Sequence, residues 1–416
     1  MKISNIFKGD KVIWMVFFLL CMISIVEVFS ASSTLTYKSQ DYIRPITYHT
    51  GTLIFGFVVA VVTLNIPCRY FKLMTPFLIL FSFFTLIWVL FAEAKVGDAG
   101  RWISILGFTF QPSEIAKGTL VLATAQILSA MQNEDGADPK AFKFIMILAV
   151  PLILLIFVEN FSTAALLGIV ILLMMFIGRV NWRYLAGLVG VVIVFAGMFL
   201  AFIMLAGHDE RELAEMKKNQ SIETVATAKK EESTIDKIFH RADTWKSRIM
   251  KFSNSKEVTP EEYDLDKDAQ VAHANIAIAT SNVIGKGPGN SEERDFLSQA
   301  FSDFIFAIVI EEMGIFGAFA VVALYVFLLF SAVRIANRCE NNFPAFLVMG
   351  IALLLVIQAM FNMMVAVGLV PVTGQPLPLI SKGGTSTIIN CAYIGAMLSV
   401  SRTAKKREEA EQVVNS

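Results

Sequence analysis

Charged residues are scarce: they make up 17% of the 416-residue sequence, where a soluble globular protein carries about 25%. With hydrophobic residues at 56%, that shortage excludes an ordinary water-soluble fold. Cysteine is scarce too. Cys21, Cys68, Cys339 and Cys391 fall in apolar runs or beside short polar connections. None has a neighbour at metal-ligand spacing, which argues against a disulfide framework or a zinc site. The 4 histidines are scattered and form no ligand cluster. No repeat with a period of roughly 20–50 residues is present, so a solenoid is excluded. No inverted internal symmetry of the transporter kind is visible. Formal charge sums to +0, so the placement of charges, not their total, carries information.

What is abundant is apolar sequence in long runs. There are 35 phenylalanines, and the mean hydropathy is +0.63. Runs of about 18 residues or more recur, the length that crosses a bilayer as a helix. The first, "KVIWMVFFLLCMISIVEVFSA", exceeds the apolar core of a signal peptide and is followed by others, so it reads as a membrane helix. The pattern predicts an all-α polytopic membrane protein. Its ten transmembrane helices fall near 12–30, 48–66, 73–93, 112–131, 142–159, 160–178, 183–207, 304–333, 343–369 and 383–402.

Lys and Arg sort by side. One set of ends and loops holds Lys2, Lys8, Lys11, Arg69, Lys72, Lys140, Lys143, Arg179, Arg183, Arg334, Arg338, Arg402, Lys405, Lys406 and Arg407. The short loops opposite hold only Lys38, Arg44, Lys95, Arg101 and Lys382. Positive charge stays inside, which places both termini in the cytoplasm. The chain then divides into spans 1–7 over 1–207, a large extracytoplasmic loop over 208–303, spans 8–10 over 304–403, and a cytoplasmic tail over 404–416.

The large loop is polar over 209–268, where "TIDKIFHRADTWKSRIMKF" has helical apolar spacing and reads as a surface amphipathic helix or a solvated loop. From "AHANIAIATSNVIGKGPGNS" the chain turns apolar and then Gly-rich, the pattern of a short or re-entrant helix ending in a turn.

Four polar clusters fall on the outer side. In "SDFIFAIVIEEMG", Ser302 or Asp303 stands where a helix cap would, while Glu311 and Glu312 lie two to three turns deeper. At least one of those two carboxylates needs a basic partner or a cavity, because charge in a bilayer is costly. In "GDAGRWISILGFTFQPSEIAKG", Pro112 suits a first helical turn. Glu114 and Lys117 stand three apart and can pair, as a staple or as a cavity wall. Arg101 is an interfacial anchor or a phosphate ligand. "GLVPVTGQPLPLISKGGTSTIINC" presents hydroxyls and backbone N–H groups at a helix start, which suits an anion or a plain tight turn. In "VENFSTAA", Glu159 and Asn160 join two spans. Their shared side implies an outward-facing polar site.

Together these stretches resemble the SEDS family (shape, elongation, division and sporulation), the FtsW/RodA-type peptidoglycan glycosyltransferases. The resemblance runs from about 12 to 403 and is carried by "RWI…FQPSEIAK", "GPGNS…FLSQAFSDFIFAIVIEEMGIFG" and "NMMVAVGLVPVTGQPLPLISKGGTS". "GPGNS" is more similar to the division type. The resemblance implies ten spans, inside termini in a bacterial cytoplasmic (inner) membrane, and an active site on the outer face. It implies polymerisation of lipid II, from undecaprenyl-diphosphate-linked glycan, in septal wall synthesis. It also implies a class B penicillin-binding protein as transpeptidase partner, alongside other division proteins; nucleic acid is not expected. The essential acid maps to Asp303. Arg101, Glu114 and Lys117 map to the cavity region, as do Glu159, Asn160, Ser381, Lys382, Gly383, Gly384, Thr385 and Ser386. The chain departs from the family pattern. Val158, Glu159, Asn160, Phe161 and Ser162 stand where the family has Gln-Pro-Asp-x-Gly, so the acid at Asn160 is lost or its place is taken by Glu159. Lys382 replaces an aromatic, Phe301 a histidine, and residues 209–238 are an extra stretch of the large loop, a partner contact or an insertion.

The implied reaction is an inverting transfer in which Asp303 is the general base and cations hold the leaving diphosphate: Arg101, Lys117, Lys382 or a divalent ion, Mg or Mn. The sequence names no metal ligands. A lipid-linked precursor flippase is the main alternative, and a non-catalytic division scaffold the third. Against a flippase stand the crowding of polar groups on one side and the lack of paired broken helices.

Overall fold

The computed structural model describes residues 7–31, 44–91, 102–105, 108–206, 269–297 and 300–415, with the isolated residues 246 and 250. Arg101, the 209–238 stretch and nearly all of the 234–252 amphipathic segment lie outside them. Among the described residues the architecture is helical. In chain order come α1 (Lys11–Ala31), α2 (Arg44–Asn65), α3 (Cys68–Phe91), α4 (Pro112–Ala130), α5 (Pro139–Glu159), α6 (Phe161–Ile177) and α7 (Trp182–Ala206). Then follow α8 (Ala269–Thr280), α9 (Ile305–Asn337), α10 (Asn342–Ala366) and α11 (Thr385–Asn415). Two short antiparallel hairpins, β1 (Ile103–Ile105) with β2 (Phe108–Phe110) and β3 (Gln132–Asn133) with β4 (Gly136–Ala137), interrupt the helices. The apolar-run pattern had no signal for them.

Among the described residues, 7 helices are long and apolar enough to cross a membrane: α1, α2, α3, α5, α7, α9 and α10. Helix α6 is apolar but shorter, α4 carries Glu114 and Lys117, and α11 runs on through the polar segment expected to be a tail. Helix starts follow their sequences. Pro112 and Pro139 open α4 and α5, and the Asp138 side chain accepts from Lys140 N at 2.7 Å. Asn160 ends α5 and caps α6, its side chain accepting from Thr163 N at 3.2 Å. Asp10 caps α1 and also accepts from Ser331 and Arg334, tying the start of α1 to the end of α9.

Helices α4 and α10 form the centre. α10 packs on α4, α6, α9 and α11, while α3 and α5 flank α4. α11 lies along α2, where a Cβ on Gly56 would sit 2.7 Å from Cys391 Sγ and one on Gly395 would strike the Ala60 carbonyl. Small residues let those backbones approach closely, the usual basis of helix packing in lipid. Helix α7 leans on α6 and is exposed along most of its length.

Helix α9 is broken at Gly314, whose φ of 68° and ψ of −165° lie outside the helical region. The turn at 283–291 sits in that break, and Lys286 N and Gly287 N donate to the Glu311 and Glu312 carbonyls at 2.9 and 2.8 Å. A side chain at Gly314 or Gly285 would collide with the other segment's backbone.

Candidate active site

The two deep glutamates hold that turn in place. Glu311 accepts from Lys286 Nζ at 2.8 Å, from Glu292 N at 3.1 Å and from Ser291 Oγ. Glu312 accepts from Gly289 N at 3.0 Å, from Ser291 N at 3.3 Å and from Ser30 Oγ. Neighbours in sequence should face different ways on a helix. Here the turn wraps over the break and reaches both. The hydrogen bond to Glu311 raises the Lys286 pKa above 10.5, the further causes being the Glu292 bond and both carboxylate charges, against opposing desolvation. Glu311 and Glu312 are therefore fully engaged in structure.

Asp303 stands apart from them, partly buried in a turn just before α9. The N-cap of α9 is Phe304, with no side-chain cap bond, so neither Ser302 nor Asp303 is the cap. The helix starts one residue later than that reading required. Ser302 Oγ instead donates to Asp303 Oδ1 at 2.8 Å.

This turn is laced to the 370–386 loop. The carbonyls of Phe301, Ser302 and Asp303 accept from Lys382 N (2.9 Å), Ser381 Oγ (2.6 Å) and Asn362 Nδ2 (2.8 Å). The loop itself is irregular backbone buried among helices, so its polar groups need protein partners. They have them. Gln375 O accepts from Asn362 Nδ2 at 2.7 Å, Pro376 O from Gln358 Nε2 at 3.0 Å, Pro378 O from Tyr325 Oη, and Ile380 O from Ser24 Oγ at 2.7 Å. Leu379, buried, holds a φ of 67°, a conformation side-chain-bearing residues seldom adopt. Beyond the loop, Gly384 takes a φ of 51° and α11 begins at Thr385.

Glu114 and Lys117 pair at 2.8 Å, with side chains 3% and 0% exposed. Lys117 Nζ also donates to Gln358 Oε1 at 2.7 Å, and Ser386 Oγ donates to Glu114 at 3.2 Å. Gln375 Nε2 donates to Thr163 Oγ1 at 2.7 Å, which connects the loop to the α6 start capped by Asn160. Glu159 is buried beside it. The fold thus gathers Asp303, Ser381, Lys382, Gly383, Gly384, Thr385, Ser386, Glu114, Lys117, Glu159 and Asn160 around one loop. Gln358, Asn362 and Gln375 join them: Asn362 and Gln375 fall within the stretch that carries the resemblance, which gives them no role, and Gln358 is an isolated amide in an apolar run.

The two cations differ. Lys117 is neutralised by Glu114. Lys382 is half-buried, with Nζ 5.0 Å from the centre of the Phe301 ring and no carboxylate within salt-bridge distance among the described residues. Desolvation lowers its pKa from 10.5. Among the described residues no three His, Cys, Asp or Glu side chains converge on a metal position. Asp303 suits a Mg-type ion, which takes one or two carboxylates plus substrate phosphates.

Comparison with known proteins places this geometry. The model of the family described as cell cycle protein, FtsW/RodA/SpoVE, matches residues 10–406. A probable peptidoglycan glycosyltransferase FtsW of Halomonas elongata is 29% identical over 371 residues, covering 87% of this chain and 83% of the relative. One of the same name from Geobacter sulfurreducens is 28% identical over 412 residues, covering 97% and 98%. Among solved structures, a peptidoglycan synthase complex that coordinates polymerization and crosslinking matches with a TM-score of 0.66 at 20% identity, over 95% of this chain and 98% of that one. The rod shape determining protein RodA of Thermus thermophilus matches with a TM-score of 0.61 at 21% identity, over 96% and 98%.

Proposed function

We propose, for a chain that belongs to the FtsW/RodA/SpoVE family of cell cycle proteins, that it is a peptidoglycan glycosyltransferase polymerising lipid II into septal glycan strands. Helices α1–α7 and α9–α11 are its ten spans. Both termini lie in the cytoplasm, and α8 with the turn that follows belongs to the outer loop. The positive-inside asymmetry of the loops supports this orientation, which puts Asp303 and the 370–386 loop on the outer face of the bacterial inner membrane.

The observation that carries the mechanism is the lacing of the Asp303 turn to the loop bearing Lys382, a cation with no carboxylate partner among the described residues. A carboxylate and a cation carried on two segments laced together can serve one transfer. Asp303 takes the proton from the 4-hydroxyl of the incoming lipid II sugar. That oxygen attacks the anomeric carbon of the growing strand, the bond from carbon to diphosphate breaks, and the lipid diphosphate leaves. One displacement turns the α-linked donor into a β-1,4-linked product. Diphosphate departs without a proton, so a second carboxylic acid is not required, unlike ordinary glycoside cleavage. Lys382 meets the developing phosphate charge. Lys117, saturated by Glu114 and Gln358, shapes the site instead. A divalent ion, were one bound, would be held by Asp303 and would supply positive charge to the leaving diphosphate.

The crosslinking partner is a class B penicillin-binding protein; the name of the structural neighbour, a complex of polymerization and crosslinking, supports this. The test is reconstitution with labelled lipid II, with and without that transpeptidase and divalent cation. Asp303→Ala inserts and melts like the parent but polymerises about 10²–10⁴-fold more slowly. Polymerisation at the parental rate removes Asp303 from the mechanism. Lipid transfer without polymer favours a flippase, and inactivity in every arm favours a scaffold.

A further inference from the structure

Two amides, Gln358 and Asn362, sit one turn apart on α10 and face the same loop. Asn362 differs from its neighbour in what it grips. Its Nδ2 donates to Asp303 O at 2.8 Å and to Gln375 O at 2.7 Å, so both amide hydrogens go to main-chain carbonyls. A carbonyl cannot donate, so the nitrogen must face these two oxygens and the orientation of the amide is fixed.

The three carbonyls of the Asp303 turn each receive one donor. Lys382 N and Ser381 Oγ come from the loop, which ties the turn only to another irregular segment. Ser381 Oγ also accepts from Leu377 N, so it joins turn and loop from within the loop, whereas Asn362 does so from a buried central helix, with one side chain. Its Oδ1 is buried without a hydrogen-bond partner among the described residues. Packing alone does not account for an amide there.

We propose that Asn362 is a positioning residue for the transfer: it pins the Asp303 peptide against the Gln375 peptide and so sets where the carboxylate stands relative to the loop bearing Lys382. This rests on the reading of Asp303 as the base. Catalysis of this kind depends steeply on placement, with a shift of about 1 Å costing roughly 10²-fold. Binding of lipid II, spread over the cavity, depends on it far less.

The experiment is steady-state polymerisation of lipid II by the full-length protein with its transpeptidase. Asn362→Leu, nearly isosteric, removes both donors. Asn362→Ser keeps one hydroxyl donor and answers the question should the Leu variant not fold. Tyr325→Phe is the matched control, since it deletes another side-chain donor to a loop carbonyl without touching the Asp303 turn. Expected for Asn362→Leu is a fall in kcat of about 10- to 100-fold with KM within about twofold. The Ser variant falls between that and the parent, and Tyr325→Phe keeps kcat within about twofold. A merely structural role lowers kcat alike in the Asn362 and Tyr325 variants, in step with melting temperature, and overturns the proposal. So does an unchanged kcat in the Leu variant, or in the Ser variant if Leu does not fold. Asp303→Ala run in parallel separates the two claims. If it is inactive while the Asn362 variants run at full rate, only the positioning role is lost. If it is active, the reading of the site is lost as well.

Discussion

Replacing Lys117 by Met tests how this site is held together. Nζ lies 2.8 Å from Glu114 Oε1 and 2.7 Å from Gln358 Oε1, and the side chain is 0% exposed. At an effective dielectric constant near 20, unit charges at that separation attract by roughly 6 kcal/mol, most of which offsets their desolvation. Removing only the lysine therefore exposes a desolvation cost. Glu114 keeps the hydrogen bond from Ser386 Oγ at 3.2 Å but loses its cation, and Gln358 Oε1 loses its donor. Breaking a buried pair in this way costs about 3–5 kcal/mol. Replacing both partners, as Glu114→Leu with Lys117→Met, removes the charges together and leaves only unpaired neutral groups, each worth about 1–3 kcal/mol. The double variant should therefore be more stable than Lys117→Met alone. Thermal unfolding of the detergent-solubilised protein, across the parent, both single variants and the double, gives the coupling directly. If Lys117→Met stays within about 0.5 kcal/mol of the parent, or the double loses the sum of the singles, the pair is not the staple described.

Further outcomes follow from two other residues. Both carboxyl oxygens of Glu27 on α1 are buried without a hydrogen-bond partner among the described residues; Glu27→Leu should therefore stabilise the protein by about 1–3 kcal/mol, and a lower melting temperature would show that the carboxyl has a partner. Lys382→Met should lower kcat/KM for lipid II roughly 10- to 100-fold, the worth of about 1.5–3 kcal/mol for a charged contact. The pH dependence has a definite sign. Burial lowers the Lys382 pKa from 10.5, so the folded state disfavours its cation: stability gains as pH rises through the lowered pKa and levels off above 10.5. Substrate binding runs the other way. It needs the cation, so kcat/KM falls on an alkaline limb that begins below 10.5. Lys382→Arg keeps its charge throughout and should abolish that limb in a pH–rate profile. An unchanged limb assigns it to another group.

Much of this protein is legible in its sequence because the bilayer imposes a coarse rule. A run long enough to span must be apolar and helical, so helix positions and the prolines that open α4 and α5 are written locally. The acid at Asp303, the pairing distance of Glu114 and Lys117, and the Gly-rich loop could be read the same way. What composition and spacing could not state is which faces meet. An apolar helix gives almost no periodic signal when lipid and protein interior are equally apolar, so Gln358 looks like a stray amide, and Asn362 and Gln375 have no assigned role in their stretch, until α10 is packed beneath the loop. Tertiary structure alone showed that Lys382, unlike Lys117, has no carboxylate partner among the described residues. It also gave Glu311 and Glu312, of which at least one was expected to need a basic partner or a cavity, the role of clamps on a broken helix. Contacts made only on folding took those decisions: residues 286–292 reach the two glutamates from 19 to 25 positions away and Ser30 reaches Glu312 from 282, and no local pattern encodes them.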